Sequence, residues 1–216
     1  CCGALQREAG QPEQAQVLAR HNLNAFRAAG VDVVITVASG CGAVLADSGK
    51  HDESMDGRGT AETDRIGNGR ATEHHVRILD IHQFLADVEL PESMTLAPLP
   101  VTIAVQDPCS LRNALRAEQT VYALLGRIPA VRIVPLAENH LCCGGAGAYP
   151  LRQPAMADRL RADKLVHLQQ LQPAVLATAN LGCALHLSAG LRAQGLNIVV
   201  EHPVALFERQ LRPKPA

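Results

Sequence analysis

Short apolar runs alternate with longer amphipathic stretches along most of this 216-residue chain. The short runs are apolar almost throughout, rather than at every second position. Such runs are typical of strands that are covered on both faces of a parallel sheet. The runs that we predict to be strands are 31–37, 101–105, 131–136, 174–179 and 197–201.

The amphipathic stretches predict helices between these strands. In the first of them Pro12 lies near the start, and Leu18, Leu23 and Phe26 recur at roughly helical spacing. Strands that alternate with helices predict the α/β class with parallel sheets. The predicted helices are 12–29, 76–88, one that follows Ser110 and ends at about Leu125, 154–171, one from Ala184 and one from Pro203.

Two segments interrupt the pattern and suggest domain boundaries. Residues 48–72 are polar and rich in glycine, without a sustained apolar period, and we expect an exposed flexible loop there. The proline-rich segment 91–100 is typical of a linker. We therefore expect a first domain at 1–90 and a second domain at 101–216.

A cysteine motif occurs twice, once in each predicted domain. Cys1-Cys2-Gly3 is followed by Gly40-Cys41, and Cys142-Cys143-Gly144 is followed by Gly182-Cys183 at nearly the same distance. The apolar run before the third cysteine also corresponds in the two copies. We therefore predict two repeated Cys-Cys-Gly modules, related by a pseudo-two-fold, each with a short parallel sheet flanked by helices.

The second copy has a fourth thiol, Cys109, directly after a predicted strand. Parallel sheets gather ligands at the carboxyl ends of their strands, so Cys109, the Cys142–Cys143 pair and Cys183 are expected to converge. Four thiolates are the usual ligands of an iron–sulfur cluster.

Glycines accompany these cysteines. Gly144 and Gly145 follow the pair, and Gly182 precedes the third cysteine. Backbone N–H groups at such positions are free to face cluster sulfides, and hydrogen bonds of this kind tune the reduction potential. We therefore count these glycines as candidate cofactor-binding residues.

Other uses of the cysteines remain open. They are able to bind zinc structurally, although the chain has no C-x-x-C pair and adjacent cysteines fit one zinc ion poorly. Cys142 and Cys143 are also a candidate thiol–disulfide pair. A buried, inert set of cysteines is a further alternative. We expect His140 and His186 to be surface or satisfied core histidines rather than ligands.

Composition excludes several classes of function. The net charge is −1, aromatic residues make up 2% and Trp is absent, which argues against nucleic-acid binding. No apolar run is long enough for a transmembrane helix, and no signal peptide is recognisable. Seven cysteines fit a reduced cytoplasmic protein with thiolate ligands better than a disulfide scaffold. Because the chain begins inside a motif and lacks an initiator Met, we expect a fragment of a longer protein.

Five segments carry a resemblance to a known family: CCGAL (1–5), TVASGCGAVL (36–45), DPCSL (107–111), HLCCGGAGAYPLRQP (140–154) and TANLGCALHL (178–187). Together they resemble the C-terminal part of glycolate oxidase iron–sulfur subunits. The wider family of Cys-Cys-Gly domain proteins also includes lactate-utilisation iron–sulfur proteins and heterodisulfide reductase B-type subunits.

The resemblance implies electron transfer rather than a catalytic site in this chain. In that family a flavin subunit, which holds FAD, oxidises a 2-hydroxy acid, and the iron–sulfur subunit relays electrons towards the respiratory quinone pool. The implied partners are that flavin subunit and a ferredoxin-like N-terminal domain absent from this chain. The implied location is the cytoplasm, or the inner face of the cell membrane through these partners.

The resemblance also implies how the seven thiols are divided between two sites. A cluster, of the [4Fe–4S] type, is expected at Cys109, Cys142, Cys143 and Cys183. The thiols of the first copy, at Cys1, Cys2 and Cys41, are expected to be the remnant of a second site. The cysteine that would complete this site is expected to lie outside the chain.

One departure from the family limits the choice of cluster. Reductase-type relatives end the motif as Cys-x-x-Cys, but this chain has Ala38 and Asn180 at the earlier positions. A five-cysteine cluster of the reductase type is therefore disfavoured.

Overall fold

The computed structural model describes residues 1–56 and 76–214. The first half contains four helices and two strands within those residues. In chain order they are α1 (Ala4–Glu8), α2 (Pro12–Ala28), β1 (Val33–Thr36), α3 (Ser39–Asp56), β2 (Arg77–Asp80) and α4 (Ile81–Ala86).

The second half alternates strands and helices more regularly. Its elements are β3 (Met94–Leu96), β4 (Thr102–Val105), a π-helix (Ser110–Leu115), α5 (Glu118–Gly126), β5 (Arg132–Pro135), α6 (Tyr149–Arg152), α7 (Pro154–Leu171), β6 (Val175–Ala177), α8 (Leu181–Ala193), β7 (Val199–Glu201), α9 (Pro203–Glu208) and β8 (Leu211–Pro213).

Two parallel sheets confirm the predicted α/β class. β1 and β2 pair in the first half, and the second half has a four-stranded sheet in the order β5-β4-β6-β7. The two central strands are covered on both faces, because Ile103, Ala104, Leu176 and Ala177 are fully buried. The core of the second half therefore lies on both sides of β4 and β6, as the apolar runs predicted.

The same local packing occurs in both copies of the repeat. Gly3 has φ +93° and Gly144 has φ +83°, in the left-handed region that favours glycine. A Cβ atom at Gly3 would lie 2.6 Å from the carbonyl oxygen of Ala15, and one at Gly144 would lie 2.7 Å from that of Ala157. In each half, the loop after the cysteine pair therefore lies directly against the long helix that follows it.

The helix predicted at 76–88 is wrong in its first part. Arg77–Asp80 is the strand β2, which pairs in parallel with β1, and the helix begins only at Ile81. Asp80 ends the strand and caps the helix, since its side chain accepts from the N–H of His82 while Gln83 accepts from the N–H of Asp80. The pairing with β1 is a long-range contact that local periodicity does not reveal.

The loop predicted at 48–72 is also wrong where the structure describes it. Residues 48–56 continue the helix α3, and residues 57–72 lie outside the described part of the chain. The segment 91–100 contains the strand β3, which pairs with β8 in antiparallel fashion. Both corrections have the same cause: polar or proline-rich composition does not prevent a segment from joining a helix or a sheet that begins elsewhere.

Two helices in the second half differ from their predicted bounds. The helix expected between Ser110 and about Leu125 is divided at Arg116, which has φ +52° and separates the π-helix from α5. The helix expected from Ala184 begins at Leu181, so that Cys183 lies in its first turn.

A pair of stacked histidines joins the two halves. The ring of His82, at the start of α4, lies 5.1 Å from the ring of His202, directly before α9. His82 and Asp80 are fully buried, with His82 Nδ1 2.5 Å from Asp80 Oδ1. Burial, and next the neighbouring His82, lowers the pKa of His202.

This contact predicts a loss of stability on acidification. Because the folded state lowers the pKa of His202, the unfolded state binds more protons below the ordinary histidine pKa of about 6.5. The free energy of unfolding should therefore fall as the pH drops through that value. His202→Asn should flatten this dependence, since an amide oxygen can still accept from the N–H of Val204. Urea unfolding from pH 7.5 to 5.5 checks this, and parallel curves for the two proteins would contradict it.

Candidate metal centre

Four cysteines of the second half lie at the carboxyl ends of neighbouring strands. Cys109 follows β4 and directly precedes the π-helix, while Cys183 follows β6 in the first turn of α8. Cys142 and Cys143 lie in the loop between β5 and α6. Since β5, β4 and β6 are adjacent and parallel, their carboxyl ends bring these side chains to one edge of the sheet, as predicted.

The four thiols form a connected series. Cys143 Sγ lies 3.0 Å from Cys183 Sγ. The thiols of Cys109 and Cys143 lie close enough to Cys142 that both lower its pKa. Cys143 and Cys183 are buried, Cys142 is half-buried and Cys109 is exposed. The set therefore extends from the core to the surface of the protein.

The surroundings lower the pKa of Cys142. The neighbouring thiols of Cys109 and then Cys143 are the main causes, and the N–H of Gly144 contributes further. In turn, Cys142 raises the pKa of Cys109, and Cys142 and Cys183 raise that of Cys143. The surroundings thus already stabilise one thiolate of the kind that a metal requires.

Glycine allows the cysteine loop to approach α8 at backbone distance. A Cβ atom at Gly145 would lie 2.7 Å from the carbonyl oxygen of Gly182, and one at Gly182 would meet the carbonyl oxygen of Gly145. The N–H groups of Gly144 and Gly145 point at sulfur, 3.3 Å from Cys142 Sγ and 3.4 Å from Cys143 Sγ. Any side chain at these positions would separate the loop from the helix.

The chemistry of this donor set fits an iron–sulfur cluster. Four thiols lie at one edge of the sheet, and two backbone N–H groups already donate to their sulfur atoms. Within the described ranges, no three His, Cys, Asp or Glu side chains are grouped in a way that could hold a metal ion. The sulfur atoms instead contact one another.

The first copy brings only two of its three thiols together. Cys2 Sγ lies 2.9 Å from Cys41 Sγ, whereas the exposed thiol of Cys1 donates to Gln6 Oε1 at 3.7 Å. Burial, and next the hydrogen bond with Cys2, raises the pKa of Cys41 to about 11. The first copy therefore reproduces the contact between Cys143 and Cys183 but stabilises no thiolate on Cys41.

The turn before Cys109 is held by a polar network. Asp107 accepts hydrogen bonds from the hydroxyl of Tyr122 (3.0 Å) and from Nδ2 of Asn139 (3.0 Å). Asn139 also donates to the carbonyl oxygen of Val105, at the end of β4. Asp107 therefore shapes this turn. His186 is buried, with Nε2 3.1 Å from the carbonyl oxygen of Ala157, which fits the prediction of a satisfied core histidine.

Sequence reasoning missed the role of Asn180. Its Oδ1 accepts from the N–H of Cys183 at 3.2 Å and so caps α8. Its Nδ2 donates to Ser39 Oγ at 3.3 Å and to Ser110 Oγ at 3.4 Å. An asparagine three residues before Cys183 is an N-cap signal that could have been recognised. No local signal indicates that the same amide joins the first half to the residue after Cys109.

Replacement of Asn180 should lower stability through both hydrogen-bonding groups. Asn180→Ala removes the cap and leaves the two serines without the amide, at an expected cost of about 2 kcal/mol in unfolding free energy. Asn180→Asp keeps an accepting oxygen and should restore roughly half of this loss. The exposed Asn113, replaced by Ala, is the control and should change stability by less than about 0.5 kcal/mol. Chemical unfolding of the metal-free proteins measures the free energy of unfolding of all three variants. If Asn180→Ala had the same free energy of unfolding as wild type, the role assigned to Asn180 would be contradicted.

A cleft of about 790 Å³ lies beside this centre, between the two halves. Its walls come from α1, α3 and the π-helix, and the thiol-bearing Cys109 is part of its lining. Glu8, on the same wall, is also close enough to the centre that Cys142, after burial, raises its pKa. The cleft therefore brings the first half of the chain next to the exposed end of the thiol series.

A family model for a cysteine-rich domain, CCG, matches residues 1–46 and 103–188, more than half of the chain. The chain belongs to this family. The two matched ranges contain all seven cysteines, including those of both copies of the repeat. Membership of the cysteine-rich domain family thus covers both candidate centres.

Several curated proteins are similar over nearly the whole chain. It is 28% identical to the probable glycolate oxidase iron–sulfur subunit of Bacillus subtilis over 91% of its length, and 28% identical to the glycolate oxidase iron–sulfur subunit of Escherichia coli over 98%. It spans 42% and 48% of these two relatives, less than half of each. Lactate utilization protein A of an Exiguobacterium strain is 25% identical over 94% of the chain, which spans 78% of that protein.

The structure also bears on membrane insertion. Among the helices of the described residues, none combines the length and the apolar character that crossing a membrane requires.

Proposed function

We propose that this chain is the electron-relaying part of an iron–sulfur subunit in a complex that oxidises a 2-hydroxy acid. The observation that carries the proposal is the connected series of four thiols at one edge of the parallel sheet. Similarity to two glycolate oxidase iron–sulfur subunits supports the same function. In this proposal the chain transfers electrons and does not itself abstract hydride from the substrate.

The cluster would be held by Cys109, Cys142, Cys143 and Cys183, and would supply one-electron chemistry when bound. We propose the [4Fe–4S] type, which has four cysteine ligands. Residues of the chain would orient and tune it. The N–H groups that already donate to sulfur, from Gly144 and Gly145, would stabilise negative charge there, while Gly182 would keep α8 close.

The first copy is proposed to form a second site through Cys1, Cys2 and Cys41. Contact between Cys2 and Cys41 supports this arrangement, because it repeats the contact of Cys143 with Cys183. Three thiols leave a cluster one ligand short, so this site requires a further ligand.

The proposed partners are inferred from the names of the relatives and from the fraction of each relative's length that the chain covers. An FAD-containing subunit would oxidise the 2-hydroxy acid and pass electrons to the cluster. A ferredoxin-like domain of the same protein would continue the relay, since over half of each glycolate oxidase relative lies outside the match. The complex would operate in the cytoplasm or at the inner face of the cell membrane.

A second candidate function is lactate utilisation. The chain spans 78% of lactate utilization protein A, compared with 42% and 48% of the two glycolate oxidase subunits. The fold and the thiol set serve both functions equally, because the 2-hydroxy acid would be oxidised on the partner's flavin. The oxidised substrate therefore distinguishes the two candidates.

The presence of the cluster is tested by anaerobic reconstitution with iron and sulfide. We expect bound iron, acid-labile sulfide and a paramagnetic signal that appears on reduction with dithionite. Stoichiometric zinc without iron would instead favour a structural interaction module. Turnover of a small disulfide by the thiols alone would favour a heterodisulfide-reductase-like function.

The partner and the substrate are tested in a second experiment. The chain with a bound cluster is mixed with a flavin subunit that oxidises 2-hydroxy acids, and either glycolate or lactate is added. We expect reduction of the cluster by one of these acids only in the presence of the flavin subunit. If glycolate or lactate reduced the cluster without the flavin subunit, the proposal that this chain only relays electrons would be contradicted.

A further inference from the structure

A lysine is fully buried in the second half and donates to a backbone carbonyl oxygen. Lys164, on α7, is 1% exposed, whereas lysines are almost never buried to this extent unless they are paired. Its Nζ donates to the carbonyl oxygen of Glu138 at 2.6 Å. The carboxylate of Glu138 lies instead 3.3 Å from His167. Among the described residues, no carboxylate forms an ion pair with Lys164.

The face of α7 that carries Lys164 packs against the cysteine loop. Ala157 lies two turns earlier on this face, and its carbonyl oxygen lies 2.7 Å from the position of a Cβ atom at Gly144. The same oxygen is 3.1 Å from the ring of His186 on α8. Through its hydrogen bond to the carbonyl oxygen of Glu138, the buried ammonium contacts the segment that leads to the cysteine pair.

Lys164 lies among groups that can carry negative charge. Burial lowers the pKa of Lys164, while Cys143, Glu138 and Cys142, in that order, oppose this shift. A buried charge costs several kcal/mol unless an opposite charge compensates it, and a cluster with four thiolate ligands would provide that compensation.

The first half has a neutral residue at the corresponding place. α2 and α7 begin at Pro12 and Pro154, and at the same offset Asn22 corresponds to Lys164. Nδ2 of Asn22 donates to the carbonyl oxygen of Cys1 at 2.8 Å. Both side chains thus donate to a backbone carbonyl, but only the second copy has a positive charge there.

We propose that Lys164 is a positioning residue whose buried ammonium compensates the charge of the cluster ligands and raises the reduction potential of the second centre. This inference rests on the proposed function, since it requires a cluster at that centre. Reduction adds one electron to the cluster, taken from the reduced flavin of the partner, and Lys164 stays protonated. A fixed positive charge in a site of low dielectric constant stabilises the added negative charge.

The test compares neutral and charged replacements in the reconstituted protein. Lys164→Met removes the charge, and Lys164→Gln removes it but keeps a donor for the Glu138 carbonyl. We expect both to shift the midpoint potential to lower values, as measured by dithionite titration followed by paramagnetic resonance. Lys164→Arg should remain closer to wild type. If the Met variant does not fold, the Gln variant carries the test.

The matched control is an exposed charge on the same helix. Arg159→Gln removes a positive charge that water and salt screen, so its midpoint potential should remain near that of wild type. The shift caused by Lys164→Gln should also persist at high ionic strength, because a buried charge is screened much less.

The outcomes separate this inference from the proposed function. If wild type binds no iron, both are overturned. If wild type and the neutral Lys164 variants bind equal amounts of iron at equal midpoint potentials, only the role of Lys164 is overturned. Equal shifts of the midpoint potential in Arg159→Gln and Lys164→Gln would also contradict the inference, because the proposed effect of Lys164 depends on its burial.

Discussion

Cys142→Ser is expected to abolish cluster binding by the second half. The thiols of Cys109 and Cys143, two of the other three ligands, lie close enough to Cys142 to lower its pKa. A serine hydroxyl is not a thiolate donor. Loss of residues that merely support a metal ligand costs about 10–100-fold in affinity, so loss of the ligand itself should exceed about 100-fold. Iron and sulfide analysis after anaerobic reconstitution measures the effect.

Cys1→Ser is the matched control, because Cys1 occupies the corresponding position in the first copy. Its thiol is exposed and donates to Gln6, away from Cys2 and Cys41. This variant should retain the iron bound by the second half. An equal loss of iron in both variants would show that the cluster is not confined to the second copy.

Gly144→Ala is expected to lower the stability of the protein strongly. The new Cβ would combine a backbone at φ +83° with a distance of 2.7 Å from the carbonyl oxygen of Ala157. The left-handed backbone costs about 1 kcal/mol, and the forced displacement of α7 adds about 2 kcal/mol. For a chain of this size, the sum corresponds to a fall in Tm of roughly 6–12 °C. Thermal unfolding of the metal-free protein measures it.

Gly10→Ala separates the two contributions. Gly10 has a similar φ of +78°, but a Cβ atom added there would meet no atom of a more distant residue within 4 Å. Only the backbone cost of about 1 kcal/mol should remain, with a fall in Tm of roughly 2–4 °C. Equal falls for the two variants would show that contact with Ala157 contributes nothing to stability.

The sequence was most informative where a structure depends on nearby residues. α7 has the predicted bounds, Pro154–Leu171, and α2 ends one residue before its prediction. Proline at the start of each helix and an apolar face along it are local signals. The central strands were recognised for a similar reason, since burial on both faces makes every position apolar. The four thiols of the second half were predicted together because β-strand order and chain direction place them at one edge.

The errors occurred where long-range pairing decides local structure. Arg77–Asp80 is a strand because β1 lies beside it, and Met94–Leu96 is a strand because β8 returns to pair with it. Neither partner is close in sequence. Polar composition at 48–56 likewise did not end α3, which has no proline in that stretch.

The sequence by itself determined the α/β class, the duplicated cysteine motif and the four candidate ligands of the second copy. These depend on residue type, on periodicity and on the geometry common to parallel sheets. Only the tertiary structure decided how the centre is supported. It placed Asn180 between the two halves, Gly144 against Ala157, and Lys164 against the segment that leads to the cysteine pair. The physical reason is that hydrogen bonding and charge compensation in the interior depend on three-dimensional distance, which the order of residues along the chain does not specify.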